Sequence, residues 1–102
     1  MSKYNNIKTI IHGIKFDSKK EGARFLELKQ LERIGEIYAL ETQPRFDFKI
    51  NGFLLCYYKA DFKYTTLNGD EIVEDVKGVK TAMYRLKKKM MKAFHGIEVY
   101  ET

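Results

Sequence analysis

Two stretches decide the fold: Phe46-Asp47-Phe48-Lys49-Ile50-Asn51-Gly52-Phe53, and further along Glu71-Ile72-Val73-Glu74-Asp75-Val76-Lys77. Phe46, Phe48 and Ile50 alternate with polar residues, the period of a half-buried strand. Asn51-Gly52 suits a two-residue hairpin turn, because both positions need positive φ. A return strand is therefore expected from Phe53 to about Tyr64. Asn68-Gly69 supplies a second turn, and Glu71 to Lys77 a third strand. The outcome is a three-stranded meander.

Upstream, Ile10, Ile11, Ile14 and Phe16 surround His12-Gly13, which reads as two short strand pieces and a tight turn. Ser18 is an N-cap with Glu21 three residues on, a capping box. The helix that follows carries Phe25, Leu28, Leu31 and Ile34 and stops at Gly35. Glu21, Phe25, Leu28 and Glu32 lie along one stripe, so Glu21 borders the apolar face. Ile37 to Leu40 is a short strand, and Pro44 marks an edge or a break. After Gly78 a second helix is capped by Thr81, shows Met83, Leu86, Met90 and Phe94 as its apolar stripe, and closes at Gly96. Ile97 to Tyr100 is a last strand that can join the sheet only by a crossover. These elements predict an α/β (α+β) fold, a mixed central sheet with a helix on each side.

A chain of 102 residues suits one domain, 1–102, with residues 1–7 mobile at its start. With 44% hydrophobic and 32% charged residues the composition is globular. No apolar run approaches the roughly 20 residues of a membrane span. Met1 to Asn6 is polar and unlike a secretory signal, so a cytoplasmic protein with no membrane partner is expected. The single cysteine, Cys56, excludes an intramolecular disulfide and a cysteine-built zinc site. A net charge of +5 favours a polyanionic partner. No glycine-rich phosphate loop is present, so no nucleotide cofactor is expected.

Strand alternation sets Val73, Asp75 and Lys77 on one face and Ile72, Glu74 and Val76 on the other. Asp61 stands in the otherwise aromatic Tyr58-Lys59-Ala60-Asp61-Phe62. Pairing through the Asn68-Gly69 turn brings it close to Asp75 and Lys77, and Glu21 arrives from the first helix. Carboxylates gathered in a half-buried place repel one another and lose hydration, at a cost of several kcal/mol per unpaired ion. Either their pKa values rise or a cation joins them. Oxygen ligands suit Mg²⁺ or Mn²⁺. Such an ion polarises a phosphate and acidifies a bound water, and Lys77 can stabilise developing negative charge. That is the chemistry of phosphodiester hydrolysis.

The series Ser18-Lys19-Lys20-Glu21, Lys59-Ala60-Asp61-Phe62 and Glu74-Asp75-Val76-Lys77-Gly78 resembles the PD-(D/E)XK nuclease superfamily. Within it, the chain looks most like a family of small phage-encoded proteins catalogued as a domain of unknown function. It is also similar to resolvase-type enzymes that act on Holliday junctions and to transposon end-cleaving endonucleases. The likeness runs from Gly13 to Glu98. It implies a restriction-endonuclease-like fold and a divalent-metal-dependent DNA endonuclease. Branched DNA in phage recombination or replication is the implied substrate, in the host cytoplasm. Glu21, Asp61 and Asp75, with the Val76 carbonyl, would hold Mg²⁺ or Mn²⁺. Lys77 would be the catalytic lysine, and Gln43 matches a polar position near the site. Ala60 departs from the proline that names the superfamily.

Lys77, Lys80, Arg85, Lys87, Lys88, Lys89 and Lys92 fall within sixteen residues that contain no acid. Arg85, Lys88, Lys89 and Lys92 share a helical face, which suits contact with a DNA backbone. Lys80 and Tyr84 open that helix beside Lys77, and Lys19, Lys20 and Arg24 extend the track past Glu21. No obvious reader of base edges is present, so shape is expected to matter more than sequence. A homodimer would present two such sites, although no dimerisation motif stands out.

Plainer roles stand beside these. Glu21 can be only a cap partner, Asp75 and Lys77 a surface ion pair on an edge strand, and the basic helix a solvated face. Glu74 reads as solvated and paired with a nearby lysine. His12 and His95 read as turn and helix-end residues, and Met83, Met90 and Met91 as core filler. Two rival functions remain: a nucleic-acid-binding module without catalysis, and a phage protein that binds a host protein through its aromatic surface.

Overall fold

The computed structural model describes residues 8–102; the mobility expected for residues 1–7 lies outside that range. A short hairpin, β1 (Thr9–Ile11) and β2 (Ile14–Phe16), leads into α1 (Lys19–Arg33). Five strands follow: β3 (Ile37–Thr42), β4 (Arg45–Ile50), β5 (Phe53–Lys59), β6 (Phe62–Thr66) and β7 (Glu71–Asp75). Then come α2 (Ala82–His95) and β8 (Tyr100–Glu101). The local signals act as anticipated. Ser18 Oγ accepts from the Glu21 amide at 3.1 Å, and Thr81 Oγ1 accepts from the Tyr84 amide at 3.1 Å. Asn51 and Gly52 both adopt the left-handed region, with φ 51° and 77°, as their two-residue turn requires.

The central sheet has the order β3-β6-β7-β8, with β8 parallel to β7 and the other pairs antiparallel. The molecule is therefore a mixed α+β fold, and the crossover through α2 is present. The meander differs from expectation. The return strand does not run unbroken from Phe53 to Tyr64; it divides at Ala60-Asp61 into β5 and β6. β4 and β5 form a separate two-stranded sheet, and β6 takes β3 as its partner. Register shows why. Thr42 pairs with Phe62 and Arg45 with Lys59, so one long antiparallel ribbon continues across the division. It is kinked where Gln43, at φ 52°, meets Pro44. At the same level the Ala60 amide donates to the Pro44 carbonyl at 3.1 Å, while the Asp61 amide donates across to Glu74 at 3.1 Å. Neighbouring residues thus bond to different strands, and the chain turns out of the sheet between them.

Each face of the central sheet carries its own core. On the α1 face Phe16, Phe25, Leu28, Ile37, Phe62 and Tyr64 are buried together, with Ile72 and Val76 against them. On the α2 face Val73 joins Phe48, Tyr58, Ala60, Tyr84, Met91 and Val99. This division reproduces the expected alternation along β7. Gly22 lets α1 lie on the first hairpin: a Cβ there would sit 2.9 Å from Ile11 Cδ1.

The apolar stripe of α2 needs correction. Tyr84 and Met91 are its buried residues. Met90 packs beside them and Phe94 rests on Phe48, but Met83 and Leu86 are 60% and 52% exposed. The helix is rotated by about one residue from the predicted stripe. Tyr84 tolerates that burial because its hydroxyl donates to Glu101 Oε2 at 2.7 Å. No helix among the described residues is long and apolar enough to cross a membrane.

Candidate functional site

The kink places Asp61 at the start of β6, opposite the end of β7, where Asp75 is the last strand residue. Asp75 is 1% exposed. Its Oδ2 accepts a hydrogen bond from the Tyr58 hydroxyl. Its Oδ1 accepts none among the described residues, although Lys77 Nζ lies 3.1 Å away as an ion-pair partner outside hydrogen-bond geometry. A fully buried carboxylate oxygen without a donor is costly unless a charge compensates it. Asp61 Oδ2 accepts from the Val76 amide at 2.6 Å, and the Asp61 carbonyl accepts from the Gln43 amide at 2.9 Å. Burial and then the adjacent Asp75 carboxyl push Asp61 up from 3.8 to about 8, against the pull of the Val76 amide.

Glu21 reaches the group from α1 and is 5% exposed. Burial raises its pKa most, and the charges of Asp17 and Asp75 add to the effect; hydrogen bonds from the Asp17 backbone and Asp61 partly offset it. Its amide serves the Ser18 cap, while its carboxyl turns to the Asp17 backbone and Asp61. Burial, followed by the bond to Asp75, also raises the Tyr58 hydroxyl, which stays protonated. Lys77 Nζ lies 4.5 Å from the centre of the Tyr84 ring, and Lys20 Nζ donates to the Lys77 carbonyl at 3.4 Å. Glu21, Asp61, Asp75 and Lys77 therefore meet at one end of the sheet. Gln43 serves from outside: its side chain donates to the Lys15 carbonyl at 3.0 Å, and only its amide supports Asp61. Among the described residues no group of three or more His, Cys, Asp or Glu side chains is arranged to hold a metal ion by itself.

A family model described as "Protein of unknown function (DUF1064)" matches residues 1–100. The chain belongs to the DUF1064 family. No curated protein and no solved structure matches it.

Elsewhere in the DUF1064 chain, two residues differ from their sequence reading. Glu74 is not solvated but 0% exposed. Arg24 grips it through both carboxylate oxygens, at 2.6 and 2.9 Å, and Tyr64 and Thr102 donate to it at 2.7 and 3.2 Å. The guanidinium of Arg24, expected on the DNA track, is thus bound within the fold. Its charge is held firmly by Glu74, and Tyr64 is raised by burial and the same carboxylate. Alternation announced which face Glu74 takes, but its partner lies fifty residues away.

The basic helix also changes character. Its own sequence lacks acids, yet Glu101 from β8 lies 3.0 Å from Lys80 and 3.4 Å from Lys88, and Glu98 lies 3.1 Å from Lys92. The Tyr84 hydroxyl first, then these lysines, hold Glu101 down at about 2. Tyr84 itself is buried and engaged, which withdraws its hydroxyl from the proposed DNA contacts. Arg85 and Lys89 remain exposed with no ion pair among the described residues, and Lys19 and Lys20 are exposed beside Glu21.

Proposed function

We propose that this DUF1064 chain is a divalent-metal-dependent DNA endonuclease with a restriction-endonuclease-like fold of the PD-(D/E)XK kind. The observation that carries it is Asp75 Oδ1: a buried carboxylate oxygen that accepts no hydrogen bond among the described residues, on a carboxyl beside that of Asp61, with Lys77 as a neighbouring cation. A second observation is the order of elements, α1, then antiparallel strands, then α2 and a parallel β8, with the acids at one sheet end. The donors are all oxygen, and a hydrated Mg²⁺ is commonly held by only one or two carboxylates with phosphate and water completing its shell. Asp61 and Asp75, assisted by Glu21 and the Val76 carbonyl, would hold Mg²⁺ or Mn²⁺. The ion would polarise the phosphate and acidify a bound water.

The residues of the chain do the remainder. Tyr58 fixes one oxygen of Asp75 and leaves the other available. The Val76 amide fixes one oxygen of Asp61. Lys77, braced over Tyr84, offers its ammonium to the charge that develops on a phosphate in the transition state. Arg85, Lys89, Lys19 and Lys20 supply contacts to the DNA backbone, which favour recognition of branched shape over base sequence. The implied setting is phage recombination or replication in the host cytoplasm.

Nicking of supercoiled plasmid and of a four-way junction is the test. Cleavage is expected with Mg²⁺ or Mn²⁺ and not with EDTA. Asp75→Asn and Lys77→Ala should each lower it by about a hundredfold or more, in line with the loss of a charged transition-state contact. Cleavage unchanged in Asp75→Asn refutes the assignment. A DNA-binding module without hydrolysis is the second reading, favoured by the protein donors that already hold one oxygen each of Asp75 and Asp61. Binding without cleavage in any metal would select it.

A further inference from the structure

Beside the acids, between β5 and α2, lies an open groove of about 640 Å³ of which the proposed chemistry uses only the side formed by Tyr58, Lys77 and Tyr84. That volume lies within the roughly 300–1,000 Å³ of small-ligand clefts and is enough for one nucleotide. Its walls combine three lysines, Lys59, Lys77 and Lys87, with the apolar surface of Leu55 and Met83, and no acid among the described residues lines it. The neighbouring cleft between α2 and β8 is different, because Glu98 and Glu101 stand among its lysines. Lys77 is paired with Asp75, but Lys59 and Lys87 have no ion pair among the described residues, so their charge accompanies exposed apolar surface in the β5–α2 groove. Tyr57 is 44% exposed there. The Arg45 guanidinium braces its ring at 4.0 Å from the centroid, and Asp47 in turn holds Arg45 at 2.9 Å. Lys87 Nζ is 5.6 Å from the same centroid.

A duplex backbone presents phosphate and sugar, and it would leave Leu55, Met83 and the Tyr57 ring without partners. An unpaired nucleotide satisfies both kinds of surface, since its base stacks on aromatic and apolar groups while lysines meet its phosphate. We infer that the groove between β5 and α2 binds a single-stranded segment of nucleic acid, with a base against Tyr57 and phosphates at Lys59 and Lys87. Lys77 belongs to both the groove and the acid cluster, so this strand would lead directly to the scissile position. In that respect the inference rests on the proposed endonuclease; binding itself does not.

The chain contains no tryptophan, so Tyr57→Trp introduces a lone indole reporter. In EDTA, a short oligothymidylate should quench that indole and bind more tightly than a blunt duplex, as read by fluorescence anisotropy. Lys87→Glu and Tyr57→Ser should each weaken oligothymidylate binding by about five- to tenfold, the scale of one stacked base or one lost phosphate contact. Circular dichroism of both variants checks that they fold. Tighter duplex binding, or binding with neither quenching nor sensitivity to the two variants, overturns the inference. An indole signal that depends on protein concentration without DNA also overturns it, because a second copy then fills the groove. Metal-dependent cleavage that Asp75→Asn abolishes, without quenching, removes the groove and leaves the endonuclease. Quenching without cleavage in any metal does the reverse.

Discussion

Asp61 shares one small space with Asp75, and the titration of Asp61 should report it. Asp61 in the unfolded chain is an ordinary carboxyl near 3.8, whereas in the folded protein it titrates at about 8. The folded state thus holds the proton more tightly. The stability this contributes is full below about pH 4 and is lost as pH rises through about 8. In EDTA the melting temperature should fall by several degrees between mildly acid and mildly alkaline pH. Asp61→Asn, which cannot ionise, should flatten most of that fall, and Mg²⁺ should restore the parent protein at the alkaline end. A parent profile as flat as that of the variant would contradict the assignment. Arg24 and Glu74 make a separate case. Removing the guanidinium leaves a 0% exposed carboxylate with only two hydroxyl donors. Arg24→Ala should cost about 2–4 kcal/mol by urea unfolding, and the paired change Arg24→Met with Glu74→Leu should recover much of it. Equal losses in the single and paired variants would contradict the pairing.

Among the elements, the kinked ribbon does most to build the site. Without it, Asp61 would continue a flat strand and Phe53–Lys59 would remain in the central sheet. The kink also accounts for Ala60, where the resemblance calls for proline. The Ala60 amide donates to the Pro44 carbonyl at 3.1 Å, and proline has no such hydrogen. Ala60→Pro should therefore lower stability by about 1–3 kcal/mol, read as a shift of the urea midpoint at unchanged slope. No shift would show that the bond is dispensable. The helix α2 serves two purposes through one rotation: Tyr84 goes inward to brace Lys77, and Lys88 swings towards Glu101.

For the molecule as a whole, net charge is a poor guide to where DNA would lie. The excess of +5 is spread over a surface on which Lys80, just before α2, and Lys88 and Lys92 within it already have carboxylates within 3.4 Å. Removing a free cation should matter more than removing a paired one. Lys89→Ala should reduce the slope of log affinity against log salt by about one for duplex DNA, while Lys88→Ala should reduce it by less. Equal reductions would show that the ion pair with Glu101 opens when DNA binds.

Local codes were legible in the sequence because each depends on residues a few positions apart. Ser18 and Thr81 cap helices, Asn51-Gly52 turns a hairpin, and alternation along β7 sends Val73 and Asp75 to one face and Glu74 to the other. Pairing through the Asn68-Gly69 turn then brought Asp61 to Asp75 and Lys77, with Glu21 arriving from the first helix, and the crossover rule made the sheet mixed. Tertiary structure alone decided that the return strand divides at Ala60-Asp61, which side of α2 is buried, that Arg24 belongs to Glu74, and that Glu98 and Glu101 neutralise a helix without acids of its own. Each of these depends on groups brought together from distant parts of the chain. Burial and ion pairing act on distance in space, and no spacing along a sequence encodes that distance.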